Sequence, residues 1–308
     1  MDEFEVAVIG AGSAGLQAAL TLGRMRRQVA VFSTERFRND PAGHMQNFLG
    51  HDGRPPAQLR EAARRDLDRY PTVRFVEREV TSVEETADGF VLSVDGAAAP
   101  VRARRVILAT GVRDTLPTVP GLDELFGDVV AHCPYCHGYE FADTPVAILG
   151  AAPHAPMVAA LIERIATDVT VLANGTEPDQ SLADTLARMG VKVVPQRVTE
   201  VRRGHRQGVR VHFADGTADF GGMFVTPTWT QAAPFAEQLG LEIAALGGVI
   251  VDVMGRTSRP GVYAAGDLAH HRELPLPLAS VLTAAAAGLV AAASCDRDLA
   301  LADHGLTP

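Results

Sequence analysis

Several features are scarce in this chain, and each scarcity excludes something. Three cysteines among 308 residues are too few for a disulfide scaffold, and the odd count suits a reducing compartment. Basic side chains fall short of acidic ones, 28 Lys+Arg against 37 Asp+Glu, leaving a formal charge of -9. Nothing in that balance draws the surface to phosphate backbones or anionic lipid, so neither nucleic acid nor membrane is expected as a partner. Aromatic residues make up 6%, with Trp229 the single tryptophan, and give no stacking signature. No secretory signal is expected, because Asp2, Glu3 and Glu5 stand where a basic region would be, and the chain is read as cytoplasmic. Apolar residues, at 47%, are not scarce, which excludes disorder, and the composition fits neither collagen nor coiled coil. One uncharged run, Leu274 to Ala293, has the length of a membrane span. Its Pro275, Pro277 and many alanines predict instead a loop running into a buried helix.

What is present is a pair of α/β units, in keeping with a length prior of about two domains. Glu5 to Ile9 reads as an apolar strand, Gly10-Ala11-Gly12-Ser13-Ala14-Gly15 as a glycine turn opening a helix, and Gln28 to Phe32 as the next strand. In that context GxGxxG signifies dinucleotide binding. Gly10 permits the turn, Gly12 lets a diphosphate approach the backbone, and Gly15 allows helix and strand to touch, with the helix amides receiving the phosphate charge. The end of the second strand carries Ser33 rather than the acid that holds a ribose. A second unit runs from Pro145 to Leu149, through Gly150-Ala151-Ala152-Pro153-His154-Ala155, a helix over Met157 to Ala166, and a strand over Asp168 to Leu172. Here the middle glycine has become Ala152, whose Cβ pushes a diphosphate away. The residues after the last strand supply neither the acid that selects NAD nor the arginines that hold NADP. A scaffold without a working nucleotide site is therefore favoured. Short strands at Gly247 to Val253 and Gly261 to Ala265 lead to Gly266-Asp267.

The strongest chemical signal is His132-Cys133-Pro134-Tyr135-Cys136-His137-Gly138-Tyr139-Glu140. Two thiols at CxxC spacing at a helix start can close a small redox disulfide, with thiolate stabilised by the helix dipole and neighbouring histidines. Zinc is the competing reading, but four ligands need a second pair at similar spacing, and Cys295 is isolated, so no metal is expected. His137 is placed to act as a general acid or base or, alternatively, only to cap or pack.

The succession of GAGSAG near the N-terminus, ATG at Ala109-Thr110-Gly111, CxxC between two glycine-turn units, and GVYAAGD ending at Asp267 resembles the low-molecular-weight thioredoxin reductase family over nearly the whole chain. Within it, Arg38-Asn39, the stretch Phe48 to Gly53 and Cys133 to Glu140 are most similar to the gliotoxin and holomycin type of dithiol oxidases. The resemblance implies an α/β fold of two Rossmann-like, three-layer domains. An FAD-binding domain at residues 1–116 and 243–308 is split by an NAD(P)-binding-like domain at 117–242 that carries the CxxC. It further implies FAD held by Gly10, Gly12, Ala14, Gly15, Arg38, Asn39, Asn47, Ala109, Thr110, Gly111, Gly266, Asp267, Ser280 and Val281. Cys136 would lie beside the flavin and Cys133 would face the substrate. His51 and Asp52 fall in a loop that could assist proton transfer or be an ordinary turn, and His270 and His271 either line a substrate entrance or sit in a solvated loop.

The implied reaction closes a disulfide in a small-molecule dithiol such as the precursor of a dithiolopyrrolone, with molecular oxygen reduced to hydrogen peroxide, in a homodimer. A thioredoxin-reductase-like disulfide reductase fed by NADPH or ferredoxin is the alternative. His137 replaces the acid that follows the second cysteine in thioredoxin reductases, and the altered second glycine turn removes a reductase's electron source, which favours the oxidase.

Overall fold

The computed structural model describes residues 2–306. The chain divides into two compact units, one of residues up to Arg38, Ala57–Arg113 and Trp229 onward, the other of Asn39–Pro56 and Asp114–Thr228. Residues 39–56 thus group with the second unit and 229–242 with the first, whereas the sequence reading drew the division at 116/117 and 242/243.

The first unit begins with β1 (Glu3–Ile9), α1 (Ser13–Arg24), β2 (Val29–Phe32), α2 (Pro56–Leu67), β3 (Val73–Val76), the hairpin β4 (Val80–Thr86) and β5 (Gly89–Val94), then β6 (Val101–Leu108) and β7 (Val112–Thr115). Strands β3, β2, β1 and β6 lie side by side in parallel. Successive side chains of a strand point to opposite faces. Ala7 and Ile9 therefore join Ala30, Phe32, Val106 and Leu108 on one side, while Val6 and Val8 join Val29, Val31 and Ile107 on the other. Both faces are covered, which is why the sequence shows unbroken apolar runs rather than alternation.

The chain then builds the second unit from α3 (Leu122–Leu125), β8 (Val130–Ala131), α4 (Pro134–His137), β9 (Pro145–Leu149), α5 (Ala155–Ile162), β10 (Asp168–Leu172), α6 (Gln180–Arg188) and β11 (Lys192–Val194). It continues through β12 (Glu200–Arg203), β13 (Val209–Phe213), β14 (Gly216–Phe220) and β15 (Gly222–Phe224). The parallel sheet runs β11-β10-β9-β15-β8, and β12 to β14 form an antiparallel meander. Helix α5 occupies Ala155–Ile162 rather than the expected Met157 to Ala166. Pro156 is accommodated in its first turn, where no amide is needed.

Returning to the first unit, the chain forms β16 (Thr228–Gln231), α7 (Phe235–Gln238), β17 (Val249–Val251), β18 (Val262–Ala264), β19 (Ala269–His271) and α8 (Val281–Asp303). Strand β6 changes partner along its length: Val101 to Ala103 pair with β5, and Val106 to Leu108 pair with β18. Ser280 caps α8, its Oγ accepting the Thr283 amide at 3.0 Å, so the uncharged run is a loop entering a helix, as expected. Gly288, Ala291, Ala292, Cys295 and Leu299 make the buried stripe of α8. A Cβ at Gly288 would strike the Ala14 carbonyl, so α1 and α8 approach as closely as backbones allow. Arg27 binds Glu5 at 2.6 Å, Asp296 at 2.7 Å and Asp303 at 3.2 Å, tying β1 and the end of α1 to α8. Among the described residues no helix is long and apolar enough to cross a membrane.

Candidate functional site

At the end of β1, Gly10 turns the chain with φ 109°, and a Cβ there would run into the Ala109 carbonyl. A Cβ at Gly15 would collide with the Gly10 carbonyl, so helix and strand touch at that point. Gly12 is different. Its φ of -73° suits any residue, yet a Cβ would find no atom within 4 Å. Gly12 caps α1 without a side-chain hydrogen bond, and the first turn carries no acid, so the leading amides can serve an external anion.

Other sequence-predicted flavin residues gather at the same turn. Gly266, with φ 83°, would place a Cβ 3.0 Å from the Ala14 Cβ and 3.8 Å from that of Ala284 in the first turn of α8. This brings Asp267, Ser280 and Val281 toward the N-terminus of α1. Asp267 is held by Arg38 Nη1 at 2.8 Å, and the guanidinium offsets a carboxylate that would otherwise repel a diphosphate. The Ala109 amide donates to Ile9 at 2.8 Å, and Gly111, with φ 71°, follows Thr110 out of the sheet. The residues present fit a flavin dinucleotide. Ser33 is buried and its Oγ accepts the Glu35 amide at 3.2 Å, so the end of β2 has no acid for a ribose.

Two predicted cofactor residues, Asn39 and Asn47, fall in the second unit. Asn47 has φ 61°, and its amide donates to Asp52 Oδ1 at 2.6 Å. Asp52 thereby pins a turn in which the His51 ring lies 4.9 Å from that of Phe48, with His51 Nδ1 buried and unpartnered.

The CxxC opens α4. Cys133 is the N-cap, Pro134 occupies the first helical position, and the two sulfurs are joined in a disulfide with a Cα–Cα distance of 5.2 Å. The amides of Cys136 and His137 both donate to the Cys133 carbonyl at 3.1 Å. Because α4 is a single turn whose leading amides are used internally, the expected helix-dipole effect is weaker than a long helix would give. His137 contributes more specific geometry. Its Nε2 lies 3.3 Å from the Gly127 carbonyl, an oxygen that only accepts, so Nε2 donates in this contact. Its Nδ1 is buried without a partner. Gly127, with φ 89°, packs against Pro41, and Phe126 stacks on His132 at 5.8 Å.

The second glycine-type turn is bridged by a side-chain hydrogen bond. After β9 and Gly150, with φ 98°, His154 Nε2 hydrogen-bonds Thr226 Oγ1 beyond β15, the strand beside β9. The bond spans the carboxyl ends of adjacent strands, where Rossmann-type units take their ligands. Burial pushes His154 below the usual histidine range and keeps its ring neutral at neutral pH. Beyond β10, Asn174 Oδ1 is occupied by the Val198 amide at 2.9 Å. The sequence showed His154 but not Thr226, 72 positions away.

His270 corrects one expectation. It lies in β19 at 7% exposure, with Nε2 2.9 Å from the Leu274 carbonyl and Nδ1 buried and unpartnered, so it is neither in a solvated loop nor at an open entrance. Cys295 is fully buried, its thiol pushed up by desolvation, as expected of a core residue.

A glycine-turn unit suited to a flavin dinucleotide and a second unit bearing a helix-start disulfide define a thiol-disulfide oxidoreductase of the flavoprotein class. The chain belongs to the pyridine nucleotide-disulphide oxidoreductase family, whose model matches residues 4–288, and it is thioredoxin reductase-like and FAD-binding. It is 33% identical over 312 residues to thioredoxin reductase sirT of Leptosphaeria maculans, covering 94% of this chain and 92% of that protein. Among solved structures it is similar to an oxidoreductase from Agrobacterium tumefaciens at 36% identity and TM-score 0.87, covering 98% of this chain and 99% of the other. It is similar also to HlmI, at 35% identity and TM-score 0.88, covering 98% and 94%.

Proposed function

We propose that the protein is an FAD-dependent dithiol oxidase that closes an intramolecular disulfide in a small-molecule dithiol of the holomycin or gliotoxin kind and passes the electrons to oxygen. The observation that carries this reading is the second turn. There Ala152 and Pro153 replace a glycine cradle, and His154 bonds Thr226 across the crevice, while the CxxC of the same unit is intact. Electrons then enter from thiols rather than from a nicotinamide.

His137, next to Cys136, serves as the general acid or base of the thiol steps, its ring held by the Gly127 carbonyl through Nε2. The substrate thiolate attacks Cys133 Sγ, the bond to Cys136 breaks, and Cys136 leaves as thiolate. The second substrate thiol attacks the sulfur of the mixed disulfide, closing the cyclic product and releasing Cys133. Gly10, Gly12, Gly15 and Asp267 would hold FAD, which when bound would supply the two-electron chemistry linking reoxidation of the cysteines to reduction of oxygen to hydrogen peroxide. We read the enzyme as a cytoplasmic homodimer.

Anaerobic titration of the yellow protein tests the reading. Bleaching by dithiothreitol, with peroxide formed once air is admitted, supports it. Rapid bleaching by NADPH overturns it in favour of a disulfide reductase, the activity named for the fungal relative.

A further inference from the structure

The redox turn carries two aromatic rings that no intramolecular contact explains. Tyr135 and Tyr139 are 68% and 82% exposed, and neither ring packs on another or hydrogen-bonds through its hydroxyl. Among the described residues no Phe or Trp is exposed, so the two exposed aromatic rings of this class both flank the disulfide. Elsewhere the chain buries its aromatics, as the core residues Phe32, Phe224 and Tyr263 illustrate.

The helical turn fixes where these rings point. The Gly138 amide donates to Pro134 at 2.8 Å, and Gly138 keeps right-handed helical angles, so Tyr135 and Tyr139 are four apart on one turn and share a face. A Cβ at Gly138 would lie 3.2 Å from Ile165, so the Pro134–Gly138 side packs inward. The tyrosines take the outer arc, with Cys136 about 60° further round the turn from Tyr139 at 100° per residue. A molecule in disulfide exchange with this pair meets those rings.

We infer that Tyr135 and Tyr139 are specificity-determining residues that select a dithiol borne on a flat, unsaturated ring over an aliphatic one. This rests on the dithiol oxidase reading and names its substrate class. Ring stacking rewards a planar π-system and gives little to an acyclic chain. A protein substrate is disfavoured by size. Two tyrosines offer about 150–250 Å² each, short of the roughly 800 Å² per partner in a stable protein interface.

The test uses two dithiols that close the same six-membered cyclic disulfide, 1,2-benzenedimethanethiol on a flat ring and dithiothreitol without one. Each reaction converts dithiol and oxygen to cyclic disulfide and peroxide. In the FAD-loaded protein the ratio of kcat/KM, aromatic over aliphatic, is expected to favour the aromatic dithiol by about tenfold, the value of one good ring contact. Tyr135→Ala and Tyr139→Ala should each lower the ratio several-fold, the double variant should bring it near unity, and Tyr→Phe at either position should keep it. An equal ratio in native protein and alanine variants overturns the inference while leaving the oxidase reading intact. Absence of oxygen-linked turnover of both dithiols by native protein overturns the oxidase reading and the inference with it. Turnover of a thioredoxin-type protein that the alanine variants lose replaces the small ring with a protein substrate.

Discussion

Two glycines three residues apart in one turn separate cofactor binding from folding. A Cβ at Gly12 meets nothing within 4 Å, whereas one at Gly15 collides with the Gly10 carbonyl. Gly12→Val should leave the apoprotein nearly as stable, at a cost of about 1 kcal/mol for a poorer N-cap. It fills the space through which a diphosphate reaches the first amides of α1. Losing two amide hydrogen bonds to a charged group, at about 1.5–3 kcal/mol each, weakens FAD binding by roughly a hundredfold to ten-thousandfold. Gly15→Ala should do the opposite in order of cause. Overpacking against the backbone costs about 1–3 kcal/mol or more, lowering the apoprotein Tm by about 2–4 °C per kcal/mol, and FAD affinity falls because the turn is displaced. The assay pairs flavin titration of apoprotein with thermal unfolding without cofactor. Gly12→Val protein that binds FAD within about tenfold of native, or that loses as much apo stability as Gly15→Ala, would refute the assignment of this turn.

Cys133→Ser and Cys136→Ser should each abolish dithiol-dependent peroxide formation while FAD stays bound; residual turnover in either would refute the thiol relay. After reduction, alkylation of native protein should label two of the three cysteines, because Cys295 is fully buried with its thiol pushed up by desolvation; three labels by mass spectrometry would contradict that burial. Burial alone would raise Asp298, but hydrogen bonds from Arg256 at 2.8 Å and Tyr263 at 2.7 Å prevail and hold it below the usual carboxylate range. A depressed carboxylate contributes stability above its unfolded value, ~3.9, and loses it as pH falls through the lower folded value. Asp298→Asn should therefore cost about 2 kcal/mol at pH 7, and the gap from native protein should narrow below about pH 4; denaturant melts showing the same gap at both would refute the ion-pair argument.

What could be read in the sequence was local. Glu5 to Ile9 followed by GAGSAG announces strand, turn and helix within a dozen residues, and Ser280 announces the start of α8, because each signal and its structure involve neighbouring residues. What could not be read depends on partners far apart. The grouping of residues 39–56 with the second unit reflects contacts such as Pro41 against Gly127. The burial of His270 depends on β19 pairing with β17, and the same residue in an isolated segment looks like a polar loop. The ring of His137 is held by a carbonyl ten positions upstream in sequence but adjacent in space. The composition also misled in one respect. Few aromatics gave no stacking signature, yet two of the four tyrosines are exposed beside the disulfide.

Each unit has its own parallel sheet, in which the strand before the glycine turn is flanked by its successor and by a later strand, β2-β1-β6 in the first and β10-β9-β15 in the second. Chemistry is therefore decided at the turns, since the same architecture serves both. The first turn offers free approach over Gly12 and a carboxylate neutralised by Arg38. At the second, a dinucleotide would meet Ala152 in place of the middle glycine and would have to break the His154–Thr226 bond and bind beside a ring whose charging burial disfavours. A dithiol needs none of those changes. On the proposed reading it uses the disulfide at the start of α4 and the adjacent His137, whose ring the Gly127 carbonyl holds. On the proposed dithiol oxidase reading, the asymmetry between the turns accounts for the direction of electron flow: thiols would donate, and Ala152, Pro153 and the His154–Thr226 bond would disfavour the nicotinamide route.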